Sequence, residues 1–87
     1  MRIAFTENAL NEYFVWQRED RKTLTKINRL IVSIQRDGLL NGIGKPEKLK
    51  YNKDLYSRRI DEKNRLVYRQ ITDDLMEILS CEGHYEE

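Results

Sequence analysis

The chain has 87 residues, of which 39% are hydrophobic and 36% are charged, and its formal net charge is +1. This length gives room for one domain with one modest core, and the composition lacks the low-complexity bias of a disordered segment. No apolar run approaches the roughly 20 residues that a membrane-spanning helix needs, and the first residues lack the pattern of a secretory signal. We therefore expect one cytoplasmic domain, residues 1–87, with no membrane partner.

The chain contains one cysteine, Cys81, and one histidine, His84. A single cysteine cannot close a disulfide within the chain, and this pair is too small for a zinc site of the usual ligand count. We therefore expect any catalysis to need no metal and no other cofactor.

The start of the chain predicts a strand followed by a helix. Residues 2–5 favour β-structure, and Thr6 is a residue type that caps helix N-termini well. The predicted helix carries apolar residues three and four positions apart, which we interpret as a core-facing side: Leu10, Tyr13, Phe14 and Trp16.

A second, longer helix has the most regular apolar spacing in the chain. Asp20 is its predicted N-cap, and Gly38 ends it because glycine accepts the left-handed conformation common just beyond helices. The short connection predicts an antiparallel helical hairpin over residues 6–38. The apolar positions of this helix are Leu24, Ile27, Leu30, Ile31 and Ile34.

Residues 39–87 read as a loop, three strands and a tail. Gly42 and Gly44 mark the loop, and Pro46 is expected to hold Lys45 extended before an extended stretch begins at Glu47. Residues 55–60, 65–71 and 75–81 then alternate or are rich in β-formers, and short turns connect them.

These strands predict an antiparallel meander in which Arg58 and Arg59 point to opposite faces. The fold class is therefore α+β. A first strand, residues 1–5, and a two-helix hairpin, residues 6–38, pack on an antiparallel sheet.

The basic residues are concentrated in one segment. Residues 45–69 hold nine bases and four acids, a net charge of +5 in a chain whose total is +1. Tyrosines interleave with these bases, and aromatic rings beside cations are surfaces on which single-stranded bases stack. The expected partner is a nucleic acid.

RNA carries its own nucleophile, the 2′-hydroxyl, so a protein without a metal can cleave it by in-line attack on the adjacent phosphate. Such a site needs a base, cations that stabilise the charge on the phosphoryl oxygens, and an acid for the leaving 5′ oxygen. Glu47, the arginine and lysine group, and His84 are the candidates for these roles.

Simpler interpretations stay open for each candidate. Glu47 could be an ion-pair partner among many cations, and His84 could be a plain surface residue. The arginines could form cross-strand salt bridges with acids such as Glu77. The polar side of the second helix could be a solvated face or an RNA contact; its bases are Lys22, Lys26, Arg29 and Arg36.

The order of several short motifs resembles the YoeB/Txe family of bacterial toxins, which are relatives of the RelE group. The resemblance covers nearly the whole chain. The motifs are EYFVWQ at residues 12–17, KIN at 26–28, GKPE at 44–47, SRRI at 57–60, RLVY at 65–68 and HY at 84–85.

This resemblance implies a RelE-like, microbial-RNase-like fold and a ribosome-dependent endoribonuclease that cuts translated mRNA in the A site and inhibits translation. It also implies a YefM-like antitoxin as inhibitor, with operator DNA contacted only through that antitoxin. A homodimer is left open.

By the same resemblance, Glu47 is the general base, Arg65 the ligand of the phosphate in the transition state, and His84 the general acid. Tyr85 supports substrate placement. The remaining expected RNA contacts are Lys45, Lys50, Arg58 and Arg59.

Two other functions compete with this one. The protein could block translation by binding RNA or the ribosome without cleavage, in which case neither Glu47 nor His84 is needed. It could also be an inert partner that only titrates an antitoxin.

Overall fold

The computed structural model describes residues 1–52 and 54–84. It contains two helices and five strands. In chain order they are β1 (Arg2–Phe5), α1 (Glu7–Glu19), α2 (Arg21–Asp37), β2 (Glu47–Lys48), β3 (Tyr56–Arg59), β4 (Arg65–Thr72) and β5 (Leu75–Ser80).

The five strands form one sheet in the order β1-β5-β4-β3-β2. Strands β2, β3, β4 and β5 pair antiparallel with one another in chain order, which confirms the meander and the α+β class. Strand β1 joins the edge in parallel to β5, with Ile3 opposite Met76 and Phe5 opposite Ile78. The sheet is therefore mixed at this edge, where the helices intervene between β1 and the meander.

Both helix starts follow the predicted capping. The Thr6 hydroxyl accepts a hydrogen bond from the Ala9 amide at 3.1 Å. The Asp20 carboxylate accepts one from the Thr23 amide at 3.1 Å. Gly38, with φ +94°, follows the last residue of α2. The caps and the short link at Asp20 confirm the helical hairpin.

The main core lies between α2 and one face of the sheet. Ile27, Leu30 and Ile34 of α2 are fully buried. They belong to the same cluster as the sheet residues Leu66, Tyr68, Met76 and Ile78. The spacing predicted for α2 is confirmed at these three positions.

The predicted core face of α1 is only partly correct. Ala9 is fully buried, and Tyr13 and Trp16 pack against the core. Leu10 and Phe14, however, are 39% and 48% exposed. Residues 9, 13 and 16 form the buried stripe because they are four and three positions apart, whereas Leu10 and Phe14 lie about 100° further round the helix.

A smaller apolar cluster covers part of the opposite face of the sheet. Its members are Leu49, Leu55, Val67 and Leu79. Within the described residues, neither helix has the length and apolar character needed to cross a membrane.

Replacing Ile27 by alanine should lower the free energy of unfolding by about 2–5 kcal/mol, because it removes methyl groups from a packed core. The matched control is Val32→Ala on the same helix, where the side chain is 52% exposed and the change should stay within about 0.5 kcal/mol. Urea titration followed by circular dichroism measures both. Equal losses in the two variants would contradict this assignment of the core.

Candidate functional site

Glu47 lies on the sheet face that points away from the helices. It is directly opposite Ser57 on β3, and Ser57 is opposite Val67 on β4. Residues that face each other across paired strands point to the same side, as do residues two apart on one strand. Because Val67 packs in the small outer cluster, Glu47 shares the outer face with it.

Arg59 and Arg65 lie opposite each other on this same outer face. They are paired in the register of β3 and β4. Arg59 lies two residues after Ser57, and Arg65 lies two residues before Val67. Arg59 is exposed and Arg65 is half-buried. Like charges directly across a strand pair are destabilising unless an anion compensates them. The pair is thus suited to binding a phosphate.

Other arginines of the chain do have acidic partners. Arg69 contacts Glu77 at 3.0 Å, so the salt-bridge interpretation holds for Arg69. Arg2 contacts Asp74 at 3.0 Å, and Arg36 contacts Asp37 at the same distance. Among residues 1–52 and 54–84, neither Arg59 nor Arg65 forms such an ion pair.

Arg58 requires a correction, because its predicted contact with RNA does not agree with its burial. Its side chain points to the helix side, as the alternation predicts, and is 0% exposed. All five N–H groups of a guanidinium are used within the protein. The acceptors are Tyr68 Oη at 3.0 Å, Ser33 Oγ at 2.8 Å, and the carbonyls of Ile43 at 2.9 Å, Gly38 at 2.7 Å and Asn41 at 2.7 Å.

The segment before His84 is attached to α1 and to the start of β4. Trp16 donates from Nε1 to the Cys81 carbonyl at 2.9 Å, and Glu12 accepts from the Cys81 amide at 2.8 Å.

Further along, the Gly83 amide donates to Asn64 Oδ1 at 2.8 Å, and the Gly83 carbonyl accepts from the Arg65 amide at 2.9 Å. The exposed His84 therefore follows directly on a residue that is bonded to Arg65.

Lys45 and Lys50 flank the strand that carries Glu47, and both are exposed. Lys45 has φ +50°, so the expected extended conformation before Pro46 is wrong. The backbone bends here because the Gly44 carbonyl accepts from the Arg59 amide at 2.7 Å, which holds the chain at the end of β3. Lys50 lies over the ring of Tyr51 at 5.4 Å.

A cleft of about 370 Å³ lies at this end of the sheet. Its cationic lining residues are Lys26, Lys45 and Arg59, and its acidic ones are Asp61 and Glu62. A separate cleft of about 410 Å³ lies on α2, and its cationic lining residues are Arg29 and Arg36. The cations of the loop, of β3 and of α2 thus meet around the first cleft.

The register brings Glu47 near the arginine pair. Strands lie about 4.8 Å apart and rise about 3.4 Å per residue, which puts the backbones of Glu47 and Arg65 about 12 Å apart. The side chains of Glu47 and Arg65 therefore extend from the same face of the sheet, on β2 and β4. Tyr85 lies outside the described residues.

Two groups near the tail have altered acidity. Burial, the largest effect, raises the pKa of Glu12. Burial also raises the pKa of the Cys81 thiol to about 12. This thiol is fully buried, so it is an unreactive core group. Among the described residues, no three His, Cys, Asp or Glu side chains are grouped so that they could hold a metal ion.

Comparison with known proteins identifies close relatives. A family profile for YoeB-like toxins of bacterial type II toxin–antitoxin systems matches residues 5–85. Toxin YoeB of Synechocystis sp. is 49% identical over 87 residues, which cover 99% of this chain and 99% of that protein.

Two solved structures from Staphylococcus aureus share this fold. The YoeB dimer matches with a TM-score of 0.90 and 48% identity over 98% of both chains. A heterotetrameric YoeB-YefM complex matches with a TM-score of 0.88, again at 48% identity over 98% of both chains.

The fold and these relatives define a toxin of the bacterial type II toxin–antitoxin class. Within that class, the chain belongs to the YoeB-like toxin family.

The raised pKa of Glu12 predicts a pH-dependent effect of Glu12→Gln. A raised folded pKa means that stability is full at low pH and is lost as the pH rises through that pKa. The variant keeps the acceptor for the Cys81 amide but has no charge to desolvate. The free energy of unfolding of the variant minus that of the wild type should therefore be larger at about pH 7 than at about pH 4, which means that the variant gains stability relative to wild type as the pH rises.

Urea titrations at the two pH values measure this difference. The control is Glu19→Gln, which removes the same charge from an exposed position of α1. A change with pH in the opposite direction, or one no larger than in the control, would show that the burial of Glu12 has no energetic consequence.

Proposed function

We propose that this toxin is a metal-independent, ribosome-dependent endoribonuclease that cuts mRNA in the A site and thereby inhibits translation. The observation that carries the proposal is the Arg59 and Arg65 pair, which has no acidic partner among the described residues and shares a face with Glu47. Two guanidinium groups on one face can donate hydrogen bonds to the two non-bridging oxygens of a phosphodiester.

In the proposed reaction, Glu47 takes the proton of the 2′-hydroxyl, and the 2′ oxygen forms a bond to the adjacent phosphorus. Arg65 stabilises the negative charge that develops on the phosphoryl oxygens, with Arg59 beside it. The bond from phosphorus to the 5′ oxygen breaks, and His84 gives that oxygen its proton. The products are a 2′,3′-cyclic phosphate and a free 5′-hydroxyl.

The remaining predicted RNA contacts keep their roles in this proposal, except for the buried Arg58. Lys45 and Lys50 are exposed on either side of β2 and can contact phosphates before and after the cleaved bond. Tyr85 is proposed to support substrate placement next to His84.

The proposed inhibitor is a YefM-like antitoxin, because the similar S. aureus protein was solved in a YoeB-YefM complex. The cationic outer face suits an acidic segment of such a partner. Operator DNA would then be contacted through the antitoxin. A homodimer is part of the proposal because the S. aureus relative was also solved as a dimer.

Glu47→Gln, Arg65→Ala and His84→Ala should each slow cleavage of translated mRNA by about 10²- to 10⁴-fold, because each removes a base, an electrostatic stabiliser or an acid. Primer extension on mRNA translated by purified ribosomes measures the cleavage. The control is Arg2→Gln, which removes an arginine at the far edge of the sheet.

Cleavage at the wild-type rate by all three variants would contradict this mechanism. The second candidate, inhibition by binding alone, predicts growth arrest without cleaved message and with Glu47→Gln as toxic as wild type. That binding would weaken steeply with salt, because it depends on counterion release from phosphates.

A further inference from the structure

The loop of residues 38–44, which lies between α2 and β2, is held by hydrogen bonds from one buried side chain, that of Arg58. The terminal nitrogens of Arg58 donate to the carbonyls of Gly38, Asn41 and Ile43 at 2.7–2.9 Å. These three bonds come from one planar group. A single guanidinium therefore fixes the start, the middle and the end of the loop.

Two neighbours of Arg58 extend this attachment. The Tyr68 hydroxyl accepts from Arg58 Nε and donates to the Leu39 carbonyl at 2.6 Å. The Ser33 hydroxyl accepts from Arg58 Nη1 and from the Ile43 amide, and donates to Asp37 at 3.0 Å. We refer to the side chains of Arg58, Tyr68 and Ser33 together as the hub. Every donor and acceptor of the hub side chains has a partner.

The loop also packs against the hub without spare room. A side chain at Gly42, where φ is +101°, would collide with Ser33 and Asp37. The Gly44 carbonyl is bonded to the Arg59 amide at 2.7 Å. Only Lys45 and Pro46 separate this point from Glu47. The position of Glu47 at the start of β2 thus follows from where the hub holds the loop.

We propose that Arg58 is a positioning residue of the cleavage site, which acts by holding the loop of residues 38–44 so that Glu47 reaches the outer face. It does this without touching RNA. Arg58 and Arg59 are neighbours in sequence with separate tasks, since one holds the loop on the inner face and the other faces the phosphate. This inference rests on the proposed endoribonuclease function.

The geometry explains why the residue is arginine. A lysine offers three donors at one point, whereas the guanidinium offers five donors in a fixed plane. The five acceptors here belong to α2, the loop and β4. Arg58→Lys would leave several part-buried carbonyls without the donor they have in the wild type, which weakens the attachment of the loop.

Tyr68→Phe is the milder test, because it removes one oxygen atom and keeps the ring that packs in the core. The experiment is single-turnover cleavage of translated mRNA over a range of toxin concentrations, for wild type, Tyr68→Phe and Arg58→Lys. We expect the maximal rate to fall by about 10- to 100-fold, as for a catalytic group displaced by about 1 Å. The half-saturating concentration should change little, because Arg59 and Arg65 stay in place.

A double-mutant cycle with Glu47→Gln distinguishes positioning from a general loss of structure. If the hub acts through Glu47, adding Tyr68→Phe to Glu47→Gln should cost less than about twofold in rate. A loss of folded protein would instead lower the rate by the same factor in both backgrounds. Arg2→Gln is the control for removing an arginine, and urea titration verifies that each variant is folded under the assay conditions.

Wild-type rates for both Tyr68→Phe and Arg58→Lys would overturn the inference, and so would equal effects with and without Glu47. Amide hydrogen exchange tests whether the hub holds the loop without relying on catalysis. The Ile43 amide donates to Ser33 of α2, and the Arg59 amide of β3 donates to the Gly44 carbonyl of the loop. Both amides should exchange faster in Tyr68→Phe. Unchanged exchange would show that the hub does not hold the loop. Absence of cleavage by the wild type would overturn the proposed function itself.

Discussion

The arrangement of the site depends on the burial of one positive charge. Moving a guanidinium out of water costs several kcal/mol unless its hydrogen bonds are replaced, and here all five donors of Arg58 have acceptors. Two of the acceptors are carbonyls at and beyond the end of α2, where the helix dipole favours a cation. Asp37 supplies negative charge through Ser33. Hydrogen bonds from Arg36 and Ser33 hold the pKa of Asp37 below its usual range, so this carboxylate stays ionised beside the buried arginine.

Each layer of the fold supports a different part of the site. Helix α2 and the hub hold the loop that leads to Glu47, and the sheet sets Arg59 opposite Arg65. Helix α1 holds the backbone of Cys81, three residues before His84, through hydrogen bonds from Trp16 and to Glu12. The two helices lie on the inner face, yet their side chains bond the backbone of the loop before Glu47 and of the segment before His84. This connection gives a physical reason why contacts on the inner face can influence residues that the proposed reaction uses.

Much of this architecture could be predicted from the sequence because it follows local rules. Thr6 and Asp20 act as caps, the regular spacing on α2 marks its buried face, and alternation separates Arg58 from Arg59. The role of Arg58 could not be predicted, because it requires carbonyls from a loop with no periodic pattern. The parallel pairing of β1 and the exposure of Phe14 could not be predicted from the sequence either. Both depend on how α1 packs on the sheet, which residue spacing alone does not determine.

The most direct test of this account is arginine side-chain NMR at neutral pH, with Arg58 assigned by comparison with Arg58→Lys. A guanidinium with all its N–H groups bonded and 0% exposure cannot rotate freely or exchange its protons readily with water. We expect separate, slowly exchanging Nη proton signals for Arg58, and averaged, rapidly exchanging signals for Arg59 and Arg65. Rapid exchange at Arg58, as fast as at Arg59, would show that this side chain reaches solvent and does not hold the loop.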